Sequence, residues 1–184
     1  MRLWKNGTEM LPGCTASSCK TGDGEREKTI MMTEEEIKST NWTQSVAGVC
    51  LREGKVLLAR HTYGAGKGKL IIPGGYLKFG EIPQDTLVRE YMEETGVTVK
   101  TGKLLGIRFN EECWYTVFAA EYVEGEARSD GDENDLVIWM DIEEALKDET
   151  VPGLTKTMIE AAVRNRGLEI TPYNPAKPRN YLYT

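Results

Sequence analysis

The segment from Gly75 to Val97 sets three glutamates on one face of a short helix that follows a glycine turn. At 3.6 residues per turn, Glu90, Glu93 and Glu94 stand at i, i+3 and i+4 and point the same way, while Leu87, Val88, Tyr91 and Met92 share the opposite arc. One arc can pack against a sheet, and the other is crowded with negative charge. Carboxylates at this spacing repel one another by roughly 0.2–0.5 kcal/mol per pair, so a compensating cation is expected. Mg²⁺ or Mn²⁺, which prefer carboxylate oxygen, would supply it. For Glu93 and Glu94 alone a solvated acidic face would look the same, and it is the residues around them that set this helix apart.

Pro73-Gly74-Gly75 follows the apolar run Leu70-Ile71-Ile72, so a strand ends in a turn where backbone can approach an ion or a phosphate closely. Pro83 suits the first helical position, where no amide hydrogen is needed, and Asp85 suits the first turn of the helix dipole. The helix is therefore expected to begin near Pro83. Gly96 stands where a left-handed cap belongs, and Val97 opens the next strand. Arg89 flanks the glutamate face within reach of Glu81.

Gly75, Glu81, Arg89, Glu90, Tyr91, Glu93, Glu94, Gly96 and Val97 match every fixed position and spacing of the Nudix box. The chain thus resembles the Nudix (MutT-like) hydrolases, with Tyr91 standing where that family usually carries an aliphatic residue. That departure is expected to alter packing and not chemistry. The resemblance implies an α/β fold, the Nudix α/β/α sandwich with a mixed β-sheet, and a pyrophosphohydrolase that uses Mg²⁺ or Mn²⁺. It implies metal ligation by Glu90, Glu93, Glu94 and the carbonyl of Gly74, contact of Gly75 with substrate, and an Arg89–Glu81 pair that braces the loop. In this family the base that deprotonates water is sometimes a box glutamate and sometimes a carboxylate from a later loop. Glu90 is the first candidate here, and Glu133, in the acidic stretch Asp130 to Asp135, the second.

The remaining composition narrows the chemistry. A net charge of −6 and a pI near 5 argue against a basic stripe for nucleic acid, so no stable nucleic-acid binding is expected. An acidic protein with an acidic substrate needs cations between them. Arg60, Lys67, Lys69 and Lys78 surround the glycine turn in sequence, and Arg60 is the one taken to touch phosphate. His61 is the only histidine, which excludes histidine triads and leaves the reaction to carboxylates. Gly64 to Lys69 has the composition of a phosphate loop but neither of the known spacings, and reads as a turn near the substrate mouth. Of the four cysteines, Cys50 and Cys113 lie in apolar runs and read as buried thiols. Cys14 and Cys19 alone cannot complete a four-ligand zinc site. No apolar run reaches the eighteen or so residues of a membrane span and no leader pattern is visible, so a cytoplasmic protein without a membrane partner is expected.

Three segments are expected: an irregular extension over 1–41, the Nudix domain over 42–167, and an extended tail over 168–184. Thr33 with Glu36 reads as a capping box for a short helix. A purine-rich codon run for Gly24 to Lys28 shortly before Met31-Met32 resembles a ribosome-binding site, so the biological start is expected at Met31 or Met32. Native N-terminal peptides from before Met31 would overturn that. Strands are expected at Gln44 to Leu51, Lys55 to Arg60, Val97 to Val99, Lys103 to Phe109, Trp114 to Tyr122 and Leu136 to Met140. Helices are expected at Ile142 to Lys147, opened by Asp141, and at Leu154 to Asn165. The tail, with three prolines and three tyrosines, is expected to lie on its own domain or on a second subunit of a homodimer.

The resemblance implies a small-molecule nucleotide substrate, commonly a nucleoside diphosphate linked to another group X, such as ADP-ribose-like or dinucleotide compounds. The downstream residues associated with NADH- and ADP-ribose-cleaving members are absent. Tyr115 resembles the tyrosine associated with dinucleoside polyphosphate members, and Trp114 could stack a base, whereas Trp139 reads as a packing residue. A nucleoside triphosphate or RNA 5′-end pyrophosphohydrolase is the second reading. A third, from another class, is a Nudix domain that only binds and senses a nucleotide; such a module could lose its glutamates, and this chain keeps all of them.

Overall fold

The computed structural model describes residues 43–171 and 179–184. The capping box at Thr33, the start at Met31 or Met32, and Cys14 and Cys19 lie outside these residues. No helix among the described residues is long and apolar enough to cross a membrane.

The described residues open with a hairpin of β1 (Thr43–Arg52) and β2 (Lys55–His61), turned by Glu53 and Gly54, both at positive φ. β3 (Leu70–Ile71) pairs with β2, and β4 (Gly74–Tyr76) pairs with β1. Helix α1 (Pro83–Thr95) follows, then β5 (Val97–Phe109), β6 (Cys113–Gly125) and β7 (Asn134–Asp141). Helices α2 (Ile142–Lys147) and α3 (Gly153–Val163) come next, and β8 (Ile170–Thr171) pairs with β9 (Leu182–Tyr183). The sheet is mixed: β1 and β6 run parallel, and the other pairings are antiparallel. The two strands read at Val97 to Val99 and Lys103 to Phe109 are one, because β5 stays paired with β6 across register shifts between Thr98 and Gly106.

β1 decides where the layers divide. Its alternate residues face opposite ways, Val46 and Cys50 into one core with Leu87 and Tyr91 of α1, and Ala47 and Val49 into another with Ala145 of α2 and Ile159 of α3. A two-sided strand with helices on both faces gives the α/β/α arrangement. Gly48 lets α1 settle closely, since a Cβ there would stand 2.9 Å from Leu87 Cδ1 and 3.1 Å from Tyr91 Cε2. In the space so created the fully buried Tyr91 donates its hydroxyl to the Gly48 carbonyl at 2.6 Å. The unusual tyrosine thus satisfies its own polar end in the core, as buried tyrosines must.

Met92, expected on the packing arc, is exposed. The buried stripe of α1 is instead Thr86, Leu87, Tyr91, Glu94 and Thr95, so the helix is rotated to carry Glu94 inward. Helix α2 begins as read: Asp141 accepts from the backbone N–H groups of Glu143 and Glu144, a cap worth about 1 kcal/mol. Trp139 packs edge-on against Tyr122 with centroids 6.2 Å apart. Cys50 is buried, while Cys113 is only half-buried, its Sγ 3.1 Å from Ser45 Oγ.

Candidate active site

β1 pairs with β4 through Ser45, Val46 and Ala47 near its start, but with β2 only through Leu51 and Arg52 at its far end. The chain crosses between these two pairings at Ile72-Pro73, where Pro73 accepts from Gly48 N–H at 3.1 Å. The turn at Gly74 is thereby held against the middle of the core, and α1 comes back over it. Glu94, only 3% exposed, reaches into this turn and accepts the Gly74 N–H on Oε2 at 3.0 Å. Side chains at Gly74 and Gly75 are excluded by contact: a Cβ on Gly74 would stand 2.1 Å from the Val46 carbonyl oxygen, and one on Gly75 2.5 Å from the Glu90 carboxyl.

Arg89 occupies the centre of the acidic face. Its Nε and Nη2 grip Glu81 through both carboxylate oxygens at 2.8 and 2.9 Å, and its Nη1 contacts Glu90 at 2.6 Å and Glu93 at 2.9 Å. Glu81 also accepts from Lys78 N–H and the Thr86 hydroxyl, which ties the glycine loop to the first turn of α1. The reach of Arg89 to Glu81 expected from the sequence is present. Arg89 and these backbone bonds hold the Glu81 carboxyl at about 2, well below the usual range.

Glu90 and Glu94 are shifted the opposite way. Burial pushes Glu94 up to about 8, although its bond from Gly74 N–H opposes this, and burial also raises Glu90 against the pull of Arg89. Two half-buried to buried carboxylates facing one cleft with a glycine turn against them form a set of hard oxygen donors, and a divalent cation would remove the cost of charging them. Among the described residues, no three acidic, cysteine or histidine side chains yet converge as a closed cage, because Arg89 stands between Glu90 and Glu93 and holds both.

The cleft, about 500 Å³, is lined by Gly74 to Lys78, Arg89, Glu90, Glu93 and Glu94 on one side and by His61, Tyr63, Gly64, Gly66 and Glu133 on the other. Gly64–Gly66 forms a single 3₁₀ turn at its rim, which places the glycine-rich stretch where the sequence suggested. Glu133 is brought to the cleft from the acidic loop. Thr62 pins that loop by donating its backbone N–H to the Glu133 carbonyl and its hydroxyl to the carbonyls of Asp132 and Glu133. Tyr63 donates its hydroxyl to Glu133 Oε2 at 2.9 Å, a bond that pushes the phenol up to about 12.

Two residues read from the sequence as substrate contacts are not brought here. Arg60 turns to Asp135 in a two-pronged ion pair at 2.7 and 3.1 Å, since β2 and β7 set the two side chains together. Tyr115 packs against the α2–α3 core on the opposite sheet face from Trp114, with Arg108 over its ring at 5.3 Å. Tyr63 and Asn134 carry no motif signal and were missed. The fully buried Asn134 amide makes no well-formed hydrogen bond to a described protein group, although it lies close enough to Glu94 to favour that carboxylate's charge. Only its burial beside Glu133 draws notice to it.

The sequence profile of the NUDIX domain matches residues 42–161. An ADP-ribose pyrophosphatase of Methanocaldococcus jannaschii is 36% identical over 63 residues, covering 34% of this chain and 37% of that protein. The NAD-capped RNA hydrolase NudC of Mannheimia succiniciproducens is 28% identical over 166 residues, covering 82% of this chain and 60% of its own length. The chain therefore spans less than two thirds of the curated relatives it matches. A NUDIX hydrolase from Nitrosomonas europaea superposes with a TM-score of 0.63 at 22% identity, over 74% of this chain and 99% of that one, a likeness of fold.

Proposed function

Because the chain belongs to the Nudix family, we propose that it is a metal-dependent pyrophosphohydrolase that cleaves the phosphoanhydride of a nucleoside diphosphate linked to another group. The observation that carries this is the convergence of Glu90, Glu94 and the glycine turn on one side of the cleft with Glu133 on the other. Glu90, Glu93 and Glu94, with the Gly74 carbonyl, would hold Mg²⁺ or Mn²⁺, which would supply positive charge against the phosphates and lower the pKa of an attacking water.

The chain's own residues divide the remaining work. Lys78, exposed at the cleft rim, attracts the phosphates and offsets the charge of Glu93, 3.8 Å away. Arg89 keeps the loop and the helix face in register, so that Glu90 and Glu94 meet the substrate in one fixed arrangement. Glu133 takes the proton of the attacking water: Tyr63 occupies its Oε2 and leaves Oε1 for that task. Glu90 serves this role less well because its carboxylate is ion-paired with the Arg89 guanidinium at 2.6 Å and is one of the groups that would hold the cation.

The names of the two relatives, an ADP-ribose pyrophosphatase and an NAD-capped RNA hydrolase, support a nucleotide with a diphosphate inside it. The test is incubation of the protein and its Glu94→Gln variant with Mg²⁺ and a panel of nucleoside diphosphate derivatives, triphosphates and capped RNA, with products read by mass. Glu94→Gln should cut turnover a hundredfold or more with the fold intact. Equal activity of the two proteins would refute the metal assignment, and binding without cleavage would favour a sensor.

A further inference from the structure

A second hollow of about 450 Å³ lies on the α1 side of the sheet. Its floor carries Trp114, Thr116 and Phe118 from alternate positions of β6, beside Gln44 and Ile107 of the flanking strands. Its wall is Leu77 with the first turn of α1, and its roof is the returning tail from Arg179 to Tyr183.

The tail is seated there by several contacts. Tyr183 lies 5.5 Å from the Phe118 ring, accepts a hydrogen bond from Gln84 Nε2 at 3.2 Å, and belongs to the strand pair with Ile170. Arg179 forms an ion pair with Asp85.

Two features define what this hollow can hold. Among the described lining residues Arg179 alone bears a formal charge, and Asp85 neutralises it; the others present aromatic or aliphatic faces and the amide or hydroxyl edges of Gln44, Gln84, Asn180 and Thr116. An anion gains little there, whereas a neutral planar ring with hydrogen-bonding edges finds both stacking surface and partners. The second feature is continuity with the catalytic cleft. Leu77, whose N–H is bonded to the Gln44 carbonyl at 3.0 Å, lines both hollows, so the two adjoin at this residue.

We infer that this hollow receives the nucleobase of a nucleotide whose phosphates lie in the catalytic cleft, with Trp114 as the stacking surface and the C-terminal tail as the roof. The position of the phosphates rests on the hydrolase reading; recognition of the base does not. Tyr115, on the other face of the same strand, takes no part.

The experiment measures binding of the four nucleoside 5′-monophosphates and of ribose 5-phosphate, which keeps the phosphate and lacks the base, by calorimetry in chelator. At least one nucleotide should bind tenfold or more tightly than ribose 5-phosphate. Trp114→Ala and the cavity-filling Thr116→Trp should each bring that nucleotide down to the level of ribose 5-phosphate. Trp114 is 45% exposed, so Trp114→Ala keeps the test open if Thr116→Trp fails to fold. Equal binding of nucleotide and sugar phosphate, or a preference that survives both substitutions, would overturn the assignment. A base preference lost in the variants of a protein that cleaves nothing leaves the site standing and sinks the hydrolase reading. Cleavage with KM unchanged in both variants does the reverse.

Discussion

Replacing Gly75 by alanine tests whether the glycine turn sets the position of the Glu90 carboxylate and whether that position governs the proposed hydrolysis. A Cβ at this position would stand 2.5 Å from both the carboxyl carbon and Oε1 of Glu90, where ordinary contact begins near 3.4 Å. The carboxylate must retreat by about 0.9 Å, the difference between those distances. Misplacing a reacting group by about 1 Å costs on the order of a hundredfold in rate, or roughly 2.7 kcal/mol in the barrier. The backbone itself has no quarrel with alanine, since Gly75 lies in the strand pair with Val46 and outside the positive-φ region. Steady-state hydrolysis of the best substrate from the panel, with a melting curve for each protein, gives the answer. We expect kcat/KM about a hundredfold lower and a melting temperature within about 2 °C of the parent. Glu90→Asp, whose carboxylate is one methylene shorter, removes the clash, so Gly75→Ala should add little to the loss that Glu90→Asp causes alone. Activity within threefold of the parent, or losses that simply multiply in the double variant, would refute the steric argument.

Tyr91→Phe deletes the buried hydroxyl bonded to the Gly48 carbonyl and should cost about 1–2 kcal/mol, lowering the melting temperature by roughly 2–8 °C with turnover unchanged. Lost turnover without lost stability would contradict the structural role given to this tyrosine. Burial pushes the Cys50 thiol up to about 12, so iodoacetamide at pH 8 should alkylate Cys113 in the native protein and reach Cys50 only after denaturant is added, as peptide mass mapping will show. For Glu81 the folded-state pKa of about 2 lies below the ordinary 4.5, chiefly through its hydrogen bonds from Arg89. Its stabilising contribution is therefore complete above pH 4.5 and lost as pH falls through about 2. Melting temperatures across that window should fall less steeply in Glu81→Gln than in the parent; identical slopes would show that the brace does not govern acid stability.

The box segment was legible in the sequence because its signals are local. Helix period, proline at the first turn and glycine at the cap act within a few residues, and each reappears in α1, from Pro83 to the left-handed Gly96. The Asp141 cap of α2 and the reach of Arg89 to Glu81 are of the same kind. The merging of two expected strands into β5 was not legible, because pairing with β6 holds that chain straight through residues whose own pattern suggests a break.

What only the tertiary structure decided depends on partners far apart in the chain. Arg60 and Asp135 meet through the pairing of β2 with β7, which takes the arginine away from phosphate. Alternation along β6 put Tyr115 and Trp114 on opposite faces of one sheet, and nothing in either residue says which face carries the second hollow. Tyr63 became a partner of Glu133 because two loops, 70 residues apart, are laced together by Thr62. By itself the sequence determined the charge, the helix and the carboxylates that the helix carries, since those follow from residue identity and short-range geometry. The fold determined which of those atoms face one another, because long-range pairing and burial select among side chains that the sequence alone leaves equivalent.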